Sequence, residues 1–144
     1  MVMHEIKSLK KALVTLSKAL GKLLLAEKEK TGALERGDIE SLKAQINVDM
    51  AYIMECSAAE KRIQQICSSF GVSNMSELYE KYPEAEESVG ELHAELLDTV
   101  KELQKVKNLN ERLVETRLSV IRLMNSQLGI SSENTQYGKP PKAP

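Results

Sequence analysis

Near the start of the chain Ile6, Leu9, Leu13, Leu16, Leu20 and Leu23 recur at alternating steps of three and four. That spacing is the a/d seam of a helix lying against a partner helix, and it predicts a first helix over about residues 4–36. The seam then meets Glu27 and Lys30 before Leu34, which predicts an absent or loosely packed partner over that stretch. Gly21 and Gly32 each cost a helix about 1 kcal/mol relative to Ala, and Gly32 would mark fraying. Arg36-Gly37-Asp38 is the first clear break. Gly37 suits the left-handed residue that ends a helix, and Asp38 suits the N-cap of the next. So short a connection makes the second helix an antiparallel neighbour.

The second helix is expected over about 39–69. Its apolar stripe reads Ile39, Leu42, Ile46, Met50, Ile53, Cys56, Ala59, Ile63, Ile66 and Phe70, with Asp49, Glu55 and Glu60 off it. Gly71 ends it. Ser73 with Ser76 and Glu77 offers capping chemistry at a spacing one residue off the usual box, and a short helix over about 76–81 would present Leu78 and Tyr79. Tyr82-Pro83 closes it, because a residue before Pro disfavours helix. A third long helix follows over about 84–128. Val89, Leu92, Leu96, Leu103, Val106, Leu113, Val120 and Met124 share one heptad frame, interrupted at Thr99, Asn110 and Arg117. Gly129 ends this helix. The fold class predicted is all-α: an elongated antiparallel three-helix bundle or coiled coil with a long C-terminal helix. The domain reading is one bundle over 1–129 and a flexible, disordered tail over 130–144, whose composition is Ser, Asn, Gly, Lys and Pro.

Composition supports thin helices over a compact globule. One Phe, four Tyr and no Trp leave Leu, Ile, Val, Met and Ala to fill the interior. The net charge of -1 and the interleaving of Lys with Glu give no basic stripe for nucleic acid. Lys7, Lys10, Lys11, Lys18 and Lys22 read as a solvated helix face. No apolar run approaches the roughly 20 residues that span a bilayer, so stable membrane insertion is not expected. No signal-peptide pattern opens the chain, and a cytoplasmic protein is expected. On one helix Cys56 and Cys67 would lie about 16 Å apart along the axis, too far for a disulfide. They read as buried, reduced, small apolar residues.

Candidate chemistry is sparse. His4 and His93 are the only histidines. Residue 90 is Gly, so no Glu-x-x-His pair forms with His93, and His-Glu-x-x-His is absent. His93 could mimic a phosphotransfer histidine, but the small and basic residues for a docking partner are missing after it; an ordinary surface histidine is the simpler reading. No Gly-rich phosphate loop and no Ser-His-Asp or Cys-His set can be assembled. The expectation is therefore no enzyme, no cofactor and no metal.

Apolar surface remains as the informative feature. From Leu109 to Leu128 the apolar positions widen beyond one stripe: Leu109, Leu113, Val114, Leu118, Val120, Ile121, Leu123, Met124 and Leu128. They could pack internally, fill a homodimer core, or dock a client helix. Tyr137-Gly138 in the tail is either incidental or a short linear motif.

Three places carry a family likeness. Ala33-Leu34-Glu35-Arg36-Gly37-Asp38-Ile39-Glu40-Ser41-Leu42 forms a Gly-Asp hairpin before a Leu-rich helix. Asn110-Glu111-Arg112-Leu113-Val114, continued by Leu118, Ile121 and Leu128, reads as an Asn-x-x-Leu-Leu segment with Val in the last place. Thr135-Gln136-Tyr137-Gly138 gives a Thr-x-Tyr-Gly tail, followed by Lys139-Pro140-Pro141 instead of a second Gly. In this order they resemble the FlgN family of flagellar export chaperones. The resemblance implies a cytoplasmic chaperone that binds the amphipathic terminal helices of hook-associated (hook–filament junction) proteins. It would prevent their premature assembly and deliver them to the flagellar type III export gate. Carried over by that likeness, Leu109, Leu113, Val114, Leu118, Ile121, Met124 and Leu128 become client-binding candidates, and Tyr137 and Gly138 export-gate contacts. The alternative is a structural, self-associating coiled-coil protein without a client.

Overall fold

A computed structural model describes residues 2–128. Four helices follow one another: α1 (Val2–Arg36), α2 (Ile39–Ser69), α3 (Met75–Lys81) and α4 (Pro83–Leu128), and among the described residues there is no strand. The all-helical class holds. The packing is centred on α1, with α2 and α4 laid along it and the short α3 folded onto α4.

The turns follow from single residues. Gly37 takes φ +69°, a region that favours glycine, and lets the Asp38 N–H bond back to the Ala33 carbonyl at 2.9 Å. Asp38 then caps α2: its carboxylate accepts from the Ser41 amide at 3.1 Å and the Ser41 hydroxyl at 2.7 Å, holding its pKa below the ordinary 3.8. Gly71, at φ +75°, repeats the device after α2, with the Val72 amide bonding to the Cys67 carbonyl. The cap of α3 differs from the one expected. Asn74, not Ser73, accepts from the Glu77 amide at 2.9 Å, which restores the three-residue spacing of a capping box. Lys81 donates to the Phe70 carbonyl at 2.7 Å, and the Phe70 and Tyr82 rings pack at a tilt of 55° with centroids 4.9 Å apart, closing this end.

Two hydrogen-bonded points fix how α1 and α4 run. Asn110 bonds to Glu27, and Arg117 bonds to the Leu34 carbonyl, each across 83 residues. Both numbers rise by the same step, so the two helices are parallel. The same offset sets Ile6, Leu13 and Leu20 level with Val89, Leu96 and Leu103, all buried in one core cluster. Against α2, by contrast, Lys22 meets Glu55 and Lys30 meets Asp49, so numbers fall as they rise and the pair is antiparallel.

Two expectations about the packing are overturned. The charged stretch of the α1 seam is not loose: Glu27 is 6% exposed, and α1 continues unbroken through Gly32. Asp49 does not stay off the α2 interface but is buried at 6% exposure. The buried or half-buried face of α2 is Leu42, Gln45, Asp49, Tyr52, Cys56, Ala59, Ile63, Ile66 and Phe70, again at steps of three and four. The reason is electrostatic. Glu27 and Lys30 turn the α1 seam polar, so α2 rotates Gln45 and Asp49 toward it and leaves Ile39, Ile46, Met50 and Ile53 exposed. Cys56 and Cys67 are free and buried, with burial first among the causes that push both thiols above their ordinary pKa.

Candidate functional surface

One polar layer crosses all three long helices. Lys30 of α1 contacts Glu27 at 3.0 Å and Asp49 of α2 at 2.8 Å. Asn110 of α4 is 4% exposed and donates to the Glu27 carboxylate at 2.9 Å and to the Glu27 carbonyl at 3.0 Å. The Thr31 hydroxyl donates to the Asn110 side-chain oxygen. Burial acts to lower the Lys30 pKa, but its hydrogen bonds to Asp49 and Glu27 outweigh it and the net shift is upward. Seven residues on, the Arg117 guanidinium takes the Leu34 carbonyl and, at 2.7 Å, the Glu35 carbonyl. The Leu34 carbonyl also accepts from the Gly37 amide at 3.2 Å; both carbonyls lie at the end of α1, and a cation suits that end of the helix dipole. Asn110 and Arg117, which interrupt the apolar seam of α4, are thus the residues that fix its register on α1.

Beyond Arg117 the hairpin has ended. Arg117 lies over Gly37, where an added Cβ would come 3.0 Å from a guanidinium nitrogen. Helix α4 nevertheless continues to Leu128, and its last eleven residues extend about 16 Å past the turn. The α4 frame continues with it. Val120 and Met124 occupy seam positions with no α1 residue opposite, and are 49% and 53% exposed. Leu109, Val114, Ile121, Leu123 and Leu128 are exposed too, whereas Leu113 and Leu118 are half-buried. Val114 borders a shallow cleft with Leu34, Lys30 and Asn110. The client-binding candidates therefore gather on one end of one helix, split between partly covered and open positions. Tyr137 and Gly138 lie outside the described residues.

Sequence reasoning missed the polar layer and the outward stripe on α2. The first was findable, since Glu27 and Asn110 fall on equivalent seam positions. The second had a signal in the run from Ala44 to Met54, where Asp49 is the only charged residue. His93 is not a free surface histidine. Its Nδ1 lies 3.0 Å from the Tyr79 hydroxyl, and burial lowers its pKa. Burial first, then Glu86, pushes the Tyr79 phenol up to about 12, and its hydrogen bond with His93 ties α3 to α4.

Among the described residues no group of three or more His, Cys, Asp or Glu could hold a metal ion, and no helix is long and apolar enough to cross a membrane. A groove of about 670 Å³ between α1 and α2 is lined by Ala12, Ala19, Ala58 and Ala59, with Lys11, Lys18, Lys22 and Arg62 around them.

No curated protein and no solved structure matches the chain. The family described as "FlgN protein" does match, over residues 1–144, the whole chain. An all-helical chain with a heptad-patterned C-terminal helix that outruns its partners, matched to that family from end to end, belongs to the FlgN family of flagellar export chaperones.

Proposed function

We propose that this chaperone works in the cytoplasm, where it holds the amphipathic terminal helices of hook-associated proteins on the α4 overhang and presents them to the export gate. The observation that carries the reading is the continuation of the α4 seam past the end of α1. Val120 and Met124 keep heptad spacing beyond the last residue of α1, and among the described residues they stay about half exposed. A helix with its own apolar stripe completes that seam. Unassembled junction proteins with exposed amphipathic ends would otherwise pair with one another, and covering the stripe blocks that. At about 25 cal/mol per Å² of apolar surface, several hundred Å² are needed to offset the ordering of a disordered client end. Leu113, Val114, Leu118 and Ile121 extend the contact back toward the hairpin, with Leu109 and Leu128 at its limits. Tyr137 and Gly138, joined to α4 through the tail, are the proposed gate contacts. Release needs only competition or pulling.

The test is a calorimetric titration of the chain with a purified hook–filament junction protein. A stoichiometric complex is expected, weakened at least tenfold by Val120→Asp with Met124→Asp, residues that touch no core. Equal affinity for that variant would remove the overhang from the binding reaction. Conversion of a dimer to a monomer by the same changes, with no junction-protein binding, would favour self-association.

A further inference from the structure

We infer that the groove between α1 and α2, where Lys11, Lys18, Lys22 and Arg62 surround small side chains, docks an acidic helix of a partner other than the junction protein. The contact is electrostatic and short-lived. It lies apart from the α4 overhang and does not depend on the client reading.

From Ile6 to Ala26 helix α1 carries five lysines and no acidic residue, in a chain whose net charge is -1. Three of them, Lys11, Lys18 and Lys22, line the groove on one face of α1, and Arg62 joins them from α2. All four are exposed. Between them Ala12, Ala19 and Ala59 are only 6%, 2% and 5% exposed, so the small side chains lie beneath the long ones. Glu55 is the one carboxylate in the lining, 4.0 Å from Lys22. Among the described residues Lys11, Lys18 and Arg62 enter no ion pair. Cations gathered along a recess without counter-charges draw an anionic surface. The recess runs from Ser8 to Lys22, about 21 Å or four helical turns.

Charge and shape decide the occupant. A helix with carboxylates at i, i+4 and i+11, laid antiparallel to α1, meets Lys22, Lys18 and Lys11 in turn. A membrane surface calls for apolar side chains standing out beside the cations, and here the alanines are buried. Single-stranded nucleic acid calls for aromatic rings to stack its bases, and none lines the groove. A second copy does offer Glu91, Glu95 and Glu102, exposed and at the required spacing on α4. Yet Lys11, Lys18 and Lys22 stand roughly 140–180° round α1 from Leu13, on the side turned away from α4. Two copies therefore cannot each seat α4 in the other's groove, and such a contact would only add copies in an open row. With the alanines already buried, little apolar area is left to gain. Charge supplies the attraction, which speeds encounter more than it prolongs residence. By the offset of 83 the groove is level with α4 residues 91–105, short of the overhang, so a client and this partner can be held together.

The experiment titrates the full, isotope-labelled chain with a synthetic alanine-based helical peptide carrying Glu at i, i+4, i+7 and i+11, and follows backbone amide shifts. Saturable shifts confined to residues 8–22 and 55–62 are expected. The dissociation constant should rise at least tenfold between about 50 mM and about 300 mM salt, as screening shortens the reach of the charges. A peptide of the same composition with a central Pro, which cannot form the helix, should bind at least tenfold more weakly. Lys11→Glu with Lys18→Glu should leave the circular dichroism unchanged, because both side chains are exposed, and should abolish the shifts. No shifts in the groove, or equal binding of the Pro peptide, would overturn the inference on the wild-type chain alone. Tighter binding of a single-stranded oligonucleotide or of anionic vesicles at the same residues would overturn it in favour of a polyanion or a membrane. Growth in mass with chain concentration, lost in Lys11→Glu with Lys18→Glu, would overturn it in favour of a second copy.

Discussion

Replacing Asn110 by Leu puts the polar layer to the sharpest test, because the seam pattern and the structure give opposite answers. By pattern Asn110 interrupts an apolar frame, and Leu should repair it. A buried Leu gains about 2 kcal/mol from burial. Against that stand the bond to the Glu27 carboxylate, about 2 kcal/mol as a charge-assisted bond, and the bond to the Glu27 carbonyl, about 1 kcal/mol. Leaving a buried carboxylate oxygen short of a donor costs about 1–3 kcal/mol more. The Thr31 hydroxyl falls back on the Glu27 carbonyl, 3.1 Å away, and loses little. The net expectation is a loss of about 2–4 kcal/mol, or roughly 5–15 °C in melting temperature. The double variant Glu27→Leu with Asn110→Leu removes both partners together and should recover most of it, giving a coupling of about 2 kcal/mol in a double-mutant cycle. Urea unfolding followed by helical circular dichroism measures all four corners. A single Asn110→Leu that stabilises the chain, or a cycle that is additive, would refute the layer.

Arg117→Met should leave the fold intact but speed hydrogen exchange at Leu34 and Glu35 and their neighbours, since the cation on those carbonyls is gone; exchange mass spectrometry reads it. Because the Lys30 pKa is raised in the folded chain, its contribution is complete below the ordinary 10.5 and is lost as pH climbs through the folded value; Lys30→Gln should flatten the alkaline arm of a stability–pH curve. His93 is depressed, so its contribution is complete above the ordinary 6.5 and is lost as pH falls below it; His93→Gln should reduce the loss of stability between neutral and mildly acidic pH. Gly37→Ala forces a side chain into a left-handed turn under Arg117 and should cost about 1 kcal/mol or more, checked by thermal melting.

The parts of the fold set by local chemistry were legible. Gly37 and Asp38 name their own conformations, one by lacking a Cβ and one by its short carboxylate, and both stand where the sequence places them. The leucine seam of α1 is legible for the same reason, since its period alone says which face is buried. What the pattern could not say is which helix answers each position. Glu27 and Lys30 look like the end of a seam until Asn110 and Asp49 are seen opposite, and those pairings span long stretches of chain. The rotation of α2 follows from them, and so do the exposed Ile46, Met50 and Ile53, which the apolar pattern places on the core face. At the candidate site the apolar residues of α4 were visible as a list. Which of them are half-covered, Leu113 and Leu118, and which are exposed was not, because it depends on where α1 stops alongside α4.

The central claim is that residues 118–128 extend an unfilled seam that a client completes. Hydrogen exchange of the full chain, alone and with a stoichiometric hook–filament junction protein, addresses it most directly. Amides from Leu118 to Leu128 should exchange fast in the free chain and slow at least tenfold in the complex. A complex that forms while those amides keep their free-chain rates, or a free chain already protected there by self-association, would contradict it.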